Sequence, residues 1–371
     1  MKITRLETIL VKPRWLFLKV HTDVGLVGLG EPIVEGRART VQTAVHELES
    51  ILIGADPRRI EHLWQSMYRQ TFYRGGPVLT SAISGVEQAL WDLLGKSLGV
   101  PVWQLLGGAC RERIRVYAHC GGATPEEAAA RAKELVARGF SVLKTGVGRG
   151  PARTVESPAF VDAVVERFAA IRAAVGNTVE VAIDFHGQIS PALAISLARA
   201  LEPYRPMFIE EPCLPENVDT LVTIARSTPI PIATGERLYT RWGFREVLEK
   251  QAAAIVQPDL CHAGGIFECR KIAAMAECYY AAVAPHNPLG PISLAACLQL
   301  DACTPNFLVQ EQVSLGEGYL AQPFTVKDGW IDLPTGPGLG IELDEEALAD
   351  KIGHDWQSPR WFHEDGSVAD W

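Results

Sequence analysis

The stretch VAIDFHGQIS, residues 181–190, is an apolar run that ends abruptly in Asp184, Phe185 and His186. Alternate residues of a strand share a face, so a strand here aims the Asp184 carboxylate and the His186 imidazole into one space. Similar runs recur downstream. MFIEEP carries Glu210, IPIATGE ends in Glu236, AAIVQPD in Asp259, AAVAPHN carries His286, and NFLVQEQ carries Glu311. Asp184, Glu210 and Glu236 stand 26 residues apart, while His286 follows Asp259 by 27 and precedes Glu311 by 25. With IRVYAHC and FSVLKTG ahead of them, these make eight candidate strands, separated by helical patterns such as PEEAAARAKELVARG, SPALAISLARALEPY and ECRKIAAMAECY. No sequence repeat accompanies this period, so the repeat is architectural. It predicts an α/β chain closed into a parallel barrel, with every polar strand end on the rim where such barrels carry their chemistry.

Upstream, ITRLETILV and RWLFLKVHTDVGLVGLGEPIV read as strand, turn, strand. RTVQTAVHELESIL and SAISGVEQALWDLLGKSLG then follow with helical spacing, the second closed by Gly99 and Pro101. The expected division is an α+β domain over residues 1–110, a barrel over 111–330, and a Pro- and Gly-rich tail over 331–371 that rejoins the first domain. A length of 371 residues suits that pairing.

Composition narrows the partners. A formal net charge of −9, without a local block of Lys and Arg, gives no footprint for nucleic acid. The N-terminus lacks a signal-peptide core and no apolar run approaches membrane-spanning length, so no membrane association and a cytoplasmic location are expected. The eight cysteines form no C-x-x-C pair and mostly lie in apolar segments, which predicts buried free thiols.

Three carboxylates on consecutive strand ends would repel one another strongly in a water-poor rim unless a cation neutralised them. All-oxygen ligation by Asp184, Glu210 and Glu236 points to a hard divalent ion, Mg²⁺ first with Mn²⁺ as a substitute. The alternative is that these acids cap helices or pair with Arg237 and Arg241. Periodicity selects Glu210 over Glu211: if Ile209 faces the outer helices, Glu210 points into the mouth. Asp259 beside His286 would orient the imidazole and raise its basicity, which suits a general base. His186, sharing a face with Asp184, would stand across the mouth as a complementary acid. Gly264 and Gly265 read as strand-to-helix turn residues rather than a phosphate cradle.

The motifs DFHG, FIEEP, GER, QPDLCHAGGI and APHNPLGPI, with EPIVEGRARTV and YRGG near the N-terminus, resemble the enolase superfamily. DFH together with APH is most similar to its acid-sugar dehydratases, the D-galactonate dehydratase group in particular, along nearly the whole chain. That resemblance implies a modified TIM-type (β/α)7β barrel with an α+β capping domain built from the N-terminal region and the C-terminal tail. It also implies one Mg²⁺ per subunit on Asp184, Glu210 and Glu236. His286, oriented by Asp259, would remove the C2 proton of an acid sugar to give an enediolate, and His186 would protonate the departing 3-hydroxyl. Glu311 would hydrogen-bond the substrate carboxylate end. Lys144 is a further substrate contact or, as in superfamily racemases, a second base; its plainer role is an ion pair with a ligand carboxylate. KPRW, with Trp15, and YRGG, with Tyr73 and Arg74, would be capping loops over the polyol. A homo-oligomer is also implied. His119, Ala123, Gly146 and the stretch after Glu311 depart from the group's pattern near the substrate's distal hydroxyls. Another acid sugar, or a racemase, epimerase or cycloisomerase reaction on the same barrel, is the alternative, and a sugar-acid-binding protein without turnover is a third reading.

Overall fold

The computed structural model describes residues 1–148 and 158–371. Its centre is a seven-stranded parallel sheet in strict chain order: Ala118–His119, Val142–Gly146, Glu180–Asp184, Ile209–Glu210, Ile232–Thr234, Ile255–Val256 and Ala282–Val283. The expected eighth strand is too irregular to count as one, yet it closes the ring. Phe307 bridges in parallel to Val283, and Gln310 to Val116. Leu308 N donates to Val283 O at 2.8 Å and Tyr117 N to Gln310 O at 3.1 Å.

The interior is filled by one apolar side chain from each of the eight segments: Tyr117, Val142, Ala182, Phe208, Ala233, Ile255, Ala284 and Val309. This plug makes the barrel a packed core rather than a pore, so polar groups above it have little water beneath them. Helices cover the outside because each carries an apolar face toward the sheet, as Leu193, Ala194, Leu197, Ala198 and Leu201 do on Pro191–Leu201.

The N-terminal region forms an antiparallel sheet, Ile3–Val11, Trp15–Thr22 and Val27–Gly30, packed on the helix Pro77–Leu98. That helix stops at Gly99, which adopts the left-handed conformation with φ 71°. Two buried acids tie this region to the barrel. Glu31 accepts from Gly290 N at 2.7 Å and Ser293 N at 2.9 Å, capping the helix Pro291–Cys303. Glu87 does the same for the helix Ile266–Cys278 through Ile266 N at 2.7 Å and Phe267 N at 2.9 Å. A carboxylate at a helix N-terminus satisfies donors that lack intrahelical partners, which is why these acids are tolerated inside.

The tail runs back over the N-terminal sheet. Ile352 bridges to Val11 and Gly338 to Pro101, Lys12 N donates to Lys351 O at 2.8 Å, and Leu339 N donates to Asp92 Oδ1 at 2.8 Å. The strand Trp330–Asp332, at the expected boundary, still pairs with Arg113–Arg115 of the barrel. Six of the cysteines are buried and free, whereas Cys110 and Cys278 are exposed, so the expectation of buried thiols fails at those two.

Phe208 is fully buried in the plug two residues before Glu210. Phe208→Ala should cost about 3–5 kcal/mol of stability, the usual loss for a core aromatic truncated to alanine. Urea unfolding followed by circular dichroism checks this; a midpoint equal to the parent's would show that the plug does not support the barrel.

Candidate active site

Strand alternation builds a polar ring on top of the plug. His119, Lys144, Asp184, Glu210, His286 and Glu311 each lie two residues beyond a plug residue of their own segment, so they share its inward face. Asp184 and Glu210 are direct register partners on adjacent strands. The fifth strand departs from this rule. It turns at Gly235, with φ 144°, and delivers Glu236 one residue later. A Cβ on Gly235 would come within 2.8 Å of Gln257 N and of the Phe244 ring, so the turn requires glycine. Asp259 likewise lies beyond its strand, which ends at Val256.

His186 reaches the site by a different route from the one expected. The third strand ends at Asp184, and His186 has a positive φ of 53°, so it is a turn residue rather than a strand partner at i+2. Its backbone N–H donates to Asp184 Oδ1 at 2.7 Å, which fixes the turn. The carboxylate and imidazole come together through that turn.

Glu210 is fully buried, while the Glu236 side chain keeps about 10% exposure. Burial pushes the pKa of both up to about 7, and burial likewise raises that of Asp184. Each also feels a neighbouring acid: Glu236 acts on Asp184, Asp184 on Glu210, and Glu210 on Glu236. Lys144 offsets part of this charge, with Nζ 2.7 Å from Glu210 Oε1 and 3.0 Å from Glu311 Oε1. Burial would lower the Lys144 pKa, but Glu210 and Glu311 outweigh it and hold it well above the usual lysine range. Glu210 Oε2 is buried without a hydrogen-bond partner.

Among the described residues, no three His, Cys, Asp or Glu side chains already close around a metal-sized point. One oxygen of Glu210 is held by Lys144 instead. The donor set nevertheless fits a hard divalent cation: all three donors are carboxylates, they raise one another's pKa, and one buried oxygen has no partner. The competing partners are engaged elsewhere. Arg237 pairs with Glu211 through Nε at 2.9 Å and Nη2 at 2.6 Å, and Arg241 pairs with Glu268 at 2.5 Å. Glu211 thus turns away from Glu210, as periodicity required.

His286 Nδ1 lies 2.8 Å from Asp259 Oδ2, and its Nε2 lies 3.6 Å from Glu236 Oε2. Burial would lower the His286 pKa, but Glu236 and the Asp259 hydrogen bond outweigh it and hold it well above the usual histidine range. Glu311 sits behind this pair. Its Oε1 meets His119 Nε2 at 3.0 Å and its Oε2 accepts from Asn287 N at 2.8 Å. Burial would raise its pKa, yet Lys144 and the His119 hydrogen bond hold it well below the carboxylate range.

One cleft is lined by His186, Glu236, Tyr239, His262, His286 and Trp371, among others. His262 was not anticipated. It lies 3.5 Å from Asp259 Oδ2 through Nε2 and 3.1 Å from Ser81 Oγ through Nδ1. Its position three residues after Asp259 in QPDLCHAGG, where one turn brings i and i+3 together, is the signal that marks it. Trp15, Tyr73 and Arg74 do not line this cleft. Trp15 is buried against Phe17 and Tyr319, Tyr73 is 82% exposed, and Arg74 lies over the Tyr68 ring at 5.9 Å.

Comparison with known proteins agrees with this architecture. Residues 6–107 match the mandelate racemase/muconate lactonizing enzyme N-terminal domain, and residues 127–347 match the enolase C-terminal domain-like family. The chain is 52% identical to the D-galactonate dehydratases of Ralstonia nicotianae and Ralstonia pickettii, with 100% of both chains covered in each case. Among solved structures, an enolase from Agrobacterium radiobacter bound to Na and L-malate superposes with a TM-score of 0.94 at 35% identity, over 100% of each chain. A member of the enolase superfamily from Salmonella Typhimurium gives 0.89 at 33% identity, over 94% of this chain and 97% of that one. With both domain models matched in order and full-length relatives at about half identity, the chain that carries this rim of carboxylates and imidazoles on a plugged barrel belongs to the enolase superfamily.

Proposed function

We propose that the protein dehydrates an aldonic acid, D-galactonate, to 2-dehydro-3-deoxy-D-galactonate with the help of Mg²⁺. The observation that carries this reading is the presence in one cleft of two imidazoles and Glu236: His286 is tied to Asp259, and His186 is held by its turn to Asp184, which pairs in register with Glu210. Full-length relatives that bear the name D-galactonate dehydratase favour the substrate class. The related enolase that binds L-malate, itself a 2-hydroxy acid, favours a carboxylate-bearing ligand.

Asp184, Glu210 and Glu236 would hold Mg²⁺, whose charge when bound neutralises the substrate carboxylate and lowers the cost of a second negative charge at C2. His286 takes the C2 proton through Nε2, because its Nδ1 is engaged with Asp259. His186 returns a proton to the 3-hydroxyl, since hydroxide is a poor leaving group. Glu311, kept ionised, and Lys144, kept protonated, fix the charge at the carboxylate end. Lys144 Nζ is engaged by two carboxylates, Glu210 at 2.7 Å and Glu311 at 3.0 Å, rather than free to face a substrate proton, so the two-base racemase reading loses support. A Cβ at Gly146 would meet only Asp184 O, at 3.7 Å, which leaves room beside Asp184 for a substrate hydroxyl. No helix among the described residues is long and apolar enough to cross a membrane. We place the enzyme in the cytoplasm as a homo-oligomer acting on a small acid sugar, with one Mg²⁺ per subunit.

The reading is tested by incubating the protein with D-galactonate and Mg²⁺ and assaying the keto acid with semicarbazide; absence of product across a panel of aldonic and aldaric acids refutes it. Glu236→Gln removes a charge while preserving volume. Turnover should fall by more than the ~10–100-fold typical of outer-shell changes, together with Mg²⁺ affinity measured by calorimetry. Undiminished Mg²⁺ binding would show that Glu236 is not a ligand.

The two histidines should fail differently. His286→Asn should lose about 10²–10⁴-fold in dehydration and lose C2 exchange with solvent deuterium as well. His186→Asn should lose dehydration but still exchange the C2 proton, and should still eliminate fluoride from a 3-fluoro analogue. Proton NMR in D₂O reads both, and the opposite pattern would mean that the roles are reversed.

A further inference from the structure

We infer that Trp371 is a positioning residue for His186, holding its imidazole in the orientation that C–O cleavage needs. Trp371 lines the same cleft as His186 and His286. Its ring stands 5.9 Å from that of His186 at an interplanar angle of 64°, an edge-to-face arrangement. The contact matters because His186 has few other restraints. Its backbone sits in a left-handed turn, and its ring takes one long side-chain contact, Gln188 Nε2 at 3.4 Å from Nδ1. A ring held so loosely would sample several rotamers unless a surface blocked them.

Trp371 is itself braced. Trp356 lies tilted against it at 5.9 Å and 50°, and the Arg14 guanidinium lies 5.3 Å from the Trp356 ring centre. Arg14 is anchored on two sides, to Glu35 at 2.5 Å and to Pro288 O at 2.8 Å. Pro288 is two residues past His286. A chain of contacts from Pro288 through Arg14, Trp356 and Trp371 to His186 therefore links the two histidine-bearing sides of the cleft. An indole neither gives nor takes a proton here. Its effect falls on the step that His186 performs and leaves proton abstraction by His286 alone.

The inference rests on the reading of His186 as the acid, and the experiment separates the two. Trp371→Ala should lower kcat for dehydration about 10- to 100-fold with KM little changed, since a displacement of ~1 Å can cost about 10²-fold. C2 exchange in D₂O should persist, and Trp371→Phe should recover most of the loss. Independently of turnover, NMR of histidine-labelled protein should show the His186 ring resonance, assigned by its disappearance in His186→Asn, shifted in Trp371→Ala by loss of the indole ring current. An unmoved resonance would overturn the contact. A raised KM with unchanged kcat, or equal loss of exchange and dehydration, would overturn the positioning role. If the unmodified enzyme dehydrates no acid sugar, the dehydratase reading falls and the role with it, while the NMR shift still decides the contact.

Discussion

Asp184, Glu210 and Glu236 are carried by three consecutive barrel segments to a rim that water scarcely reaches, and their mutual repulsion is the constraint around which the site is arranged. Two carboxylates near neutrality, each with a pKa lifted to about 7, can be stabilised by protonation, by a fixed cation, or by an added one. Lys144 supplies a fixed positive charge shared between Glu210 and Glu311, and Arg237, though paired with Glu211, also acts on Glu236. Glu210 nevertheless keeps one buried oxygen without a hydrogen-bond partner, and the charges of Asp184 and Glu311 act on it. That residual charge is the physical basis for a divalent cation here, while the high pKa of His286 comes from Glu236, 3.6 Å from its Nε2, and from the Asp259 hydrogen bond.

The barrel makes this concentration of charge affordable. Its plug of eight apolar side chains, one per segment, fixes the depth at which the inward polar residues begin. Because alternation is strict in six of the segments, Lys144, Asp184, Glu210, His286, Glu311 and His119 arrive at one level without individual steering. The fifth segment needs a glycine to do so. Buried acids outside the site show the same economy of charge: Glu31 and Glu87 are accepted in the interior because each caps a barrel helix, and both hold the N-terminal region against the rim.

The two histidines are held in unlike ways, which matches the unlike roles proposed for them. His286 is locked by a short bond to a buried carboxylate, and Asp259 is further tied by Cys261 N at 2.6 Å. His186 depends on a strained turn and on an aromatic neighbour supplied by the tail. A general base gains from a fixed tautomer and a nearby negative charge, whereas an acid that must reach a leaving group gains from orientation in a closed cleft.

Much of this was legible in the sequence. The 26-residue period of strand-end acids determined the barrel, and the inward placement of Glu210 rather than Glu211 in FIEEP followed from alternation, because side-chain direction in a strand has a period of two. The Asp259–His286 pair was legible too, since both residues end neighbouring runs. What the sequence could not determine was anything set by turns or by distant chain. His186 looked like a strand residue, but a positive φ moves it into a turn, and a backbone dihedral leaves no trace in a hydrophobic pattern. Trp15, Tyr73 and Arg74, expected over the polyol, are not among the residues that line the cleft: Trp15 is buried and Tyr73 is exposed, and loop paths of this kind depend on packing between regions. His262 and Trp371 entered the site only through the tertiary structure. One is tied to Asp259 and to Ser81, 181 residues earlier, and the other returns from the tail to His186, 185 residues earlier. Local periodicity carries no information across such separations; only the folded chain brings these groups together.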